Sequence, residues 1–82
     1  MAELSQIKEE IVNNLLATGR MRASHIRALA GLSKKSLQVY MTHIRRHYGL
    51  TILQLRHIMG YGYELTDEGA KIIEARRAGR GD

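Results

Sequence analysis

Residues 23–40 read ASHIRALAGLSKKSLQVY, and this stretch decides the fold. Ser24 is suited to cap a short helix whose apolar positions are Ile26 and Leu29 and which Gly31 ends. Ser33 is a second cap, opening a longer helix that runs to His47 or Tyr48. Ile26, Ala30, Leu32, Leu37 and Tyr40 fall where two such helices pack on each other across a tight turn. Gly31 falls at the turn itself, where a positive φ is often needed. One position departs from this pattern. Arg27, with Ala28 beside it, stands where the first helix usually has a small residue.

The longer helix divides into two faces. With Ile44 as reference and about 100° per residue, Leu37, Tyr40, Met41 and Tyr48 lie within about 60° of it and form the buried face. Lys35, Val39, Thr42 and Arg46 form the opposite face at i, i+4, i+7 and i+11, with Gln38, His43 and Arg45 flanking them. Upstream, Leu4, Ile7, Ile11 and Leu15 recur at helical spacing from Leu4 to Thr18, widened by Val12 and Leu16. Glu3 suits the start of that helix and Gly19 its end. Met21, Arg22 and Ala23 then read as a short strand.

Downstream of Thr51 the helical period weakens. Leu53, Leu55 and His57 alternate with Gln54 and Arg56, residues 59–62 (MGYG) make a turn, and Tyr63, Glu64 and Leu65 resume an extended pattern. This predicts a β-hairpin over 53–65. Thr66 caps a final helix with Asp67 and Glu68 in its first turn and Ala70, Ile72, Ile73 and Ala75 as its apolar positions. Residues 78–82 are expected to be a frayed tail.

Charge is segregated along the chain. From Ile11 to Tyr63 there are 53 consecutive residues without Asp or Glu. The same stretch carries Arg20, Arg22, Arg27, Lys34, Lys35, Arg45, Arg46 and Arg56 and all four histidines, and the net charge is +5. A solvated surface normally mixes both signs, so a one-sign stretch points to a polyanion, with an anionic membrane surface the weaker reading. The length suits one domain, 1–82. With no cysteine there is neither a disulfide framework nor a thiolate metal site. The opening MAELSQIKEE has no apolar run, and no segment approaches the roughly 20 apolar residues of a bilayer span. The expectation is a cytoplasmic protein with no membrane partner.

The predicted elements make a mainly α protein with a small β-hairpin. Their order is helix 1, short strand, helix 2, turn, helix 3, two-stranded wing and C-terminal helix, the order of a winged helix-turn-helix. Two motifs strengthen the likeness. His43-Ile44-Arg45-Arg46 followed by residues 60–65 (GYGYEL) resembles OmpR/PhoB-type effector domains, where an HIRR-like end of the recognition helix precedes a wing ending G-x-G-Y-x-L. Residues 63–69 (YELTDEG) also resemble the Y-x-L-T-x-x-G wing exit of many small winged-helix regulators. The resemblance covers Arg20 to Ile73. Here the segment between recognition helix and wing is shorter, and neither a sheet ahead of helix 1 nor a receiver domain is expected, so control by phosphorylation is not carried over. A small free-standing regulator, of the kind phages and mobile elements encode, is the better analogy.

What this implies is a sequence-specific, double-stranded DNA-binding transcription regulator, associated with the nucleoid when bound. Helix 33–47 would enter the major groove, with the wing on the backbone or minor groove. Lys34, Lys35, Ser36, Gln38, Val39, Thr42, His43, Arg45 and Arg46 are the recognition-helix candidates. Gln pairs bidentately with adenine and Arg or Lys with guanine, while Val39 and the Thr42 methyl suit a thymine methyl. Arg56 and Tyr61 are the wing candidates, and Ser24 and Arg22 the phosphate holders at helix 2. About six to eight basic groups would reach phosphates.

Blander readings stand beside these. The outward face of helix 33–47 could be a plain solvated surface, although such a surface normally includes acids and Val39 would be out of place on it. His43 and His47 have the i, i+4 spacing of a metal pair but lack a third ligand nearby. No metal and no cofactor are expected. Ser24, Ser33 and Ser36 have no acid–base partner in sequence, so no catalytic constellation is visible and no enzyme activity is expected. Gly60 and Gly62 lack the strand-to-helix context and the Lys-Ser/Thr of a phosphate-cradling loop. Tyr40 and Tyr48 follow the core stripe, Tyr63 packs on the body, and Tyr61 is either an exposed turn residue or a probe at the wing tip. The last helix packs on helix 1 or on a second protomer. A homodimer is favoured on the general ground that one module makes few contacts. A second functional class remains: a winged-helix adaptor acting on RNA polymerase or another nucleic-acid complex. It would need an exposed apolar patch near Val39 or Leu50–Ile52. RNA binding is disfavoured by the scarcity of interleaved aromatics.

Overall fold

Helix α1 (Leu4–Thr18) opens the part of the chain, residues 4–80, that the computed structural model describes. Its apolar stripe turns inward: Ile11, Val12 and Leu15 are fully buried, with Ile7 and Leu16 packed against the same core. Glu3 lies outside the described residues. Strand β1 (Arg20–Arg22) follows, one residue earlier than the sequence predicts. Helix α2 (Ala23–Ala30) begins at once and buries Ile26.

The start of α2 corrects the capping role expected of Ser24. The N-cap position is Arg22, without a side-chain cap, and Ser24 lies inside the helix, exposed. The reason is long-range: the Ala23 N–H donates to the Tyr61 carbonyl at 2.9 Å, so the hairpin satisfies the first orphan amide. At the other end Gly31 takes the left-handed conformation (φ +63°), as the turn requires. Arg27, the departure from the usual small residue, spans that turn. Its carbonyl accepts from the Leu32 N–H at 2.9 Å, and its Nε donates back to the Leu32 carbonyl at 2.9 Å.

Helix α3 (Lys34–Tyr48) is capped as its sequence indicates, with the Ser33 Oγ accepting from the Ser36 N–H at 3.2 Å. It buries Leu37, Met41, Ile44 and Tyr48, and Tyr40 is half-buried against the core. Each large aliphatic side chain fully removed from water contributes about 1.5–3 kcal/mol. That is why this stripe, rather than helix propensity, fixes which face looks outward.

The alternation expected from Leu53 is corrected. Residues 52–54 form a turn, Leu53 is exposed, and β2 is confined to Leu55–Ile58. Thr51 is the cause. Its Oγ1 accepts from the Leu53 N–H at 3.2 Å and its carbonyl from the Gln54 N–H at 3.1 Å, which curls the chain before pairing starts. His57 likewise faces outward rather than continuing an inward row. β3 (Gly62–Leu65) returns antiparallel to β2 with Arg56 opposite Glu64.

The two-stranded wing expected from sequence is part of a three-stranded antiparallel sheet in the order β1-β3-β2, with Met21 opposite Tyr63. Gly62 makes this possible. A Cβ there would run into the Met21 carbonyl oxygen and the Ala23 nitrogen, so only glycine lets β3 lie so close to the β1–α2 junction.

Helix α4 (Asp67–Arg80) extends past Ala78, so the expected tail at 78–82 is helical as far as Arg80; Gly81 and Asp82 lie outside the described residues. Thr66 caps it, its Oγ1 accepting from the Gly69 N–H at 3.1 Å. Ile73 is fully buried in the common core, and Arg77 pairs with Glu9 of α1 at 3.1 Å. The last helix therefore packs within its own domain. Among the described residues the architecture is mainly helical, with four helices and a small three-stranded antiparallel sheet.

Candidate nucleic-acid interface

The outward face of α3 is built by the burial of the inward one. Lys34, Lys35, Gln38, Val39, Thr42 and Arg46 are all exposed, and Val39 retains 49% of its surface. No acid lies on α3, and none lies on α2 or β1. Among the described residues, the acids lie on α1, on α4 and at Glu64 of β3.

Not every candidate on α3 is free to reach outward. Ser36 is half-buried, and its Oγ accepts from the Ser33 Oγ at 3.1 Å. The Thr42 hydroxyl donates back to the Gln38 carbonyl at 3.0 Å. His43 is half-buried. Arg45 is turned toward the sheet: its Nε donates to the Leu55 carbonyl at 3.0 Å and its guanidinium lies over the Tyr63 ring, 5.9 Å from the centroid. Burial raises the Tyr63 pKa, against the smaller pull of Arg45.

Beside the N-terminal half of α3 runs a cleft of about 490 Å³. It is lined by Lys34, Leu37 and Gln38 of α3, by Arg22 of β1, by Ser24 and Arg27 of α2, and by His57, Gly60 and Tyr61 of the hairpin. Its lining holds three formal cations and no carboxylate, so its field is of one sign. The structure thus brings Arg22, Ser24, Lys34, Gln38 and Tyr61 around one concavity, while Lys35, Val39, Thr42 and Arg46 continue along the exposed helix.

The hairpin carries two arrangements that sequence reasoning missed. Tyr61 is half-buried, with the guanidinium of Arg22 4.9 Å and that of Arg20 5.5 Å from its ring centroid. Arg20 was not a candidate, although the alternation of Arg20, Met21 and Arg22 puts both arginines on one face of a strand. Arg56 is paired with Glu64 at 3.2 Å, so its charge is partly matched within the sheet. That pairing needs the strand register, which the sequence alone did not supply.

Among the described residues no three His, Cys, Asp or Glu side chains gather as a metal site would need, and no helix is long and apolar enough to cross a membrane. His47, one of the i, i+4 pair, lies edge-on to Tyr48 with centroids 4.7 Å apart. No protein-family model, curated protein or solved structure matches the chain.

Proposed function

We propose that the chain is a winged helix-turn-helix protein that binds double-stranded DNA sequence-specifically and regulates transcription, at the nucleoid, with no cofactor. In this reading α3 is the recognition helix in the major groove and the β2–β3 hairpin is the wing. One observation carries it: the exposed face of α3 holds Lys35, Gln38, Val39, Thr42 and Arg46 with no acid, beside a cleft whose charge is all positive. A helix lying in the major groove reads bases with its outward side chains and holds phosphates with flanking cations. Gln38 and Arg46 carry the polar readout, Val39 and the Thr42 methyl the thymine contacts. Arg22, Lys34 and Lys35 hold phosphates.

Arg20, Arg22, Lys34, Lys35 and Arg46 are exposed cations with no ion pair to an acid among the described residues. With Arg46 kept for base reading, about four phosphate contacts predict a slope of roughly −3 to −4 for log affinity against log salt. Anisotropy titrations of a labelled duplex between low and moderate salt test this, and an affinity that barely changes would sink the reading. Selection from a random duplex pool tests the sequence-specific part. An enriched palindrome would further indicate two copies acting together.

A second reading has an observation of its own. Ile52 and Leu53 stand side by side in the turn before β2 with 70% and 73% of their surfaces exposed. This apolar pair lies one residue beyond the stretch anticipated from sequence, because Leu50 is buried. It suits an adaptor that touches a protein such as RNA polymerase. Retrieval of a protein partner, with no duplex retained, would favour this alternative.

A further inference from the structure

We propose, resting on the DNA-binding reading above, that Met59 is an apolar minor-groove contact that favours A·T over G·C pairs beside the site read by α3. Met59 is the most exposed large hydrophobic side chain among the described residues, at 90%. Scattered surface apolar residues are ordinary; the placement of this one is not.

The tip that carries it is held firmly. The Tyr61 N–H donates to the Ile58 carbonyl at 3.0 Å, closing a turn in which Gly60 takes φ +78°. That is the position at which a type II turn calls for glycine. On the far side of the turn the Tyr61 carbonyl accepts from the Ala23 N–H, which ties the hairpin to α2. Met59 thus projects from a braced turn. The guanidiniums beside Tyr61 give the turn a positive surround that suits DNA.

The cleft supplies the geometry. Lys34 and Gln38 of α3 form one wall, and Gly60 and Tyr61 of the hairpin turn form the other. Its cationic lining suits one phosphodiester strand. A strand of B-DNA separates a major from a minor groove, so with α3 in the major groove the hairpin tip stands on the minor-groove side. There A·T pairs present only the acceptors adenine N3 and thymine O2, whereas G·C pairs add the guanine N2 amino donor. A methionine side chain pressed to the groove floor displaces water and offers only a weakly accepting thioether. The guanine amino group would be left without a partner, a penalty that A·T pairs do not incur.

The test is selection from a random duplex pool, run in parallel with the wild-type chain, M59A and M59N. The same core is expected from all three, since α3 is unchanged. Wild type should enrich A·T pairs on the wing side of the core by about fivefold over G·C, near the lower end of what one base pair carries. M59A should flatten that preference. M59N, whose amide offers an acceptor to the guanine amino group and donors to adenine N3 and thymine O2, should remove the penalty on G·C and flatten the preference as well. A common core with identical flanks for all three proteins would overturn the Met59 assignment and leave the DNA-binding reading standing. Failure of every protein to enrich any core would overturn both.

Discussion

The Tyr48 hydroxyl at the end of α3 donates to Glu9 Oε2 of α1 at 2.8 Å. Arg77 of α4 completes the group, its NH2 on Glu9 Oε1 at 3.1 Å and its Nε donating to the Tyr48 oxygen at 3.4 Å. Three helices distant in sequence are therefore pinned together on the side built from the acid-bearing helices. The acid-free faces of α2 and α3 take no part in this, so Glu9 serves cohesion while the outward face of α3 stays one-signed.

Replacing Tyr48 by Phe keeps the buried ring and removes both hydrogen bonds. The expected loss is about 1 kcal/mol, a fall in the thermal midpoint of about 4–8 °C for a domain of this size. Circular dichroism melting checks it. An unchanged midpoint would mean that the group adds nothing beyond ring packing.

Alkaline pH should destabilise the fold through the same residue. Burial is the largest cause raising the pKa of Tyr48, and also that of Tyr63. A group whose folded pKa lies above its unfolded value, about 10 for tyrosine, lends stability that is complete below that value. That stability is lost as pH rises through the folded pKa. Denaturant midpoints should be flat toward pH 10 and fall above it, and Y48F should show a shallower fall. Equal falls in the two proteins would exclude Tyr48 as a source.

Gly62→Ala should be far more damaging than its size suggests. The added methyl meets backbone atoms of Met21 and Ala23, which cannot swing aside as a side-chain tip would. An overpacking cost of roughly 2–3 kcal/mol is expected, lowering the melting midpoint by roughly 10 °C or more. A variant that melts with wild type would show that β1 and β3 can separate without loss.

The signals legible in the sequence were local. The bounds of α1, the Ser33 and Thr66 caps and the left-handed Gly31 each rest on residues within about one helical turn of each other, where propensity and spacing operate. What escaped depends on partners far along the chain. Ser24 is not a cap because Tyr61 reaches Ala23. Arg45 is drawn inward by the Leu55 carbonyl, which helical phase cannot reveal. Arg20 gains its place only once β1 pairs with β3 and Tyr61 arrives beside it. The outward face of α3 was legible because its complement, Leu37, Met41, Ile44 and Tyr48, is apolar enough to fix the rotation of the helix.

Gln38→Ala and Arg46→Ala should separate from Lys34→Ala. The first two remove groups able to reach base edges and should relax sequence preference, each by about 1–3 kcal/mol of discrimination. Lys34, on the cleft wall, should weaken binding to all duplexes alike and reduce the salt slope by about 1. Competition titrations of a selected against a scrambled duplex read both effects. Uniform loss on every sequence from the Gln38 change would remove it from base reading.

Glu64→Gln should tighten binding. Glu64 is the only acid in the three strands, lies opposite Arg56 in register, and holds its guanidinium at 3.2 Å. The pair is well exposed, at 47% and 34%, so it adds little to stability and the melting midpoint should barely move. In the proposed DNA complex its effect falls on the β2–β3 hairpin, where the carboxylate offsets the Arg56 cation that would otherwise meet phosphate. Removing the carboxylate should raise affinity for selected and scrambled duplexes alike and steepen the salt slope by about 1. Arg56→Ala should weaken binding only slightly in the wild-type background. In the Glu64→Gln background it should cancel the whole gain, because the freed cation is then the one lost. If Glu64→Gln left both affinity and slope unchanged, Arg56 would have to face away from the nucleic acid, and the hairpin would contact DNA through its tip and the Arg22 side alone.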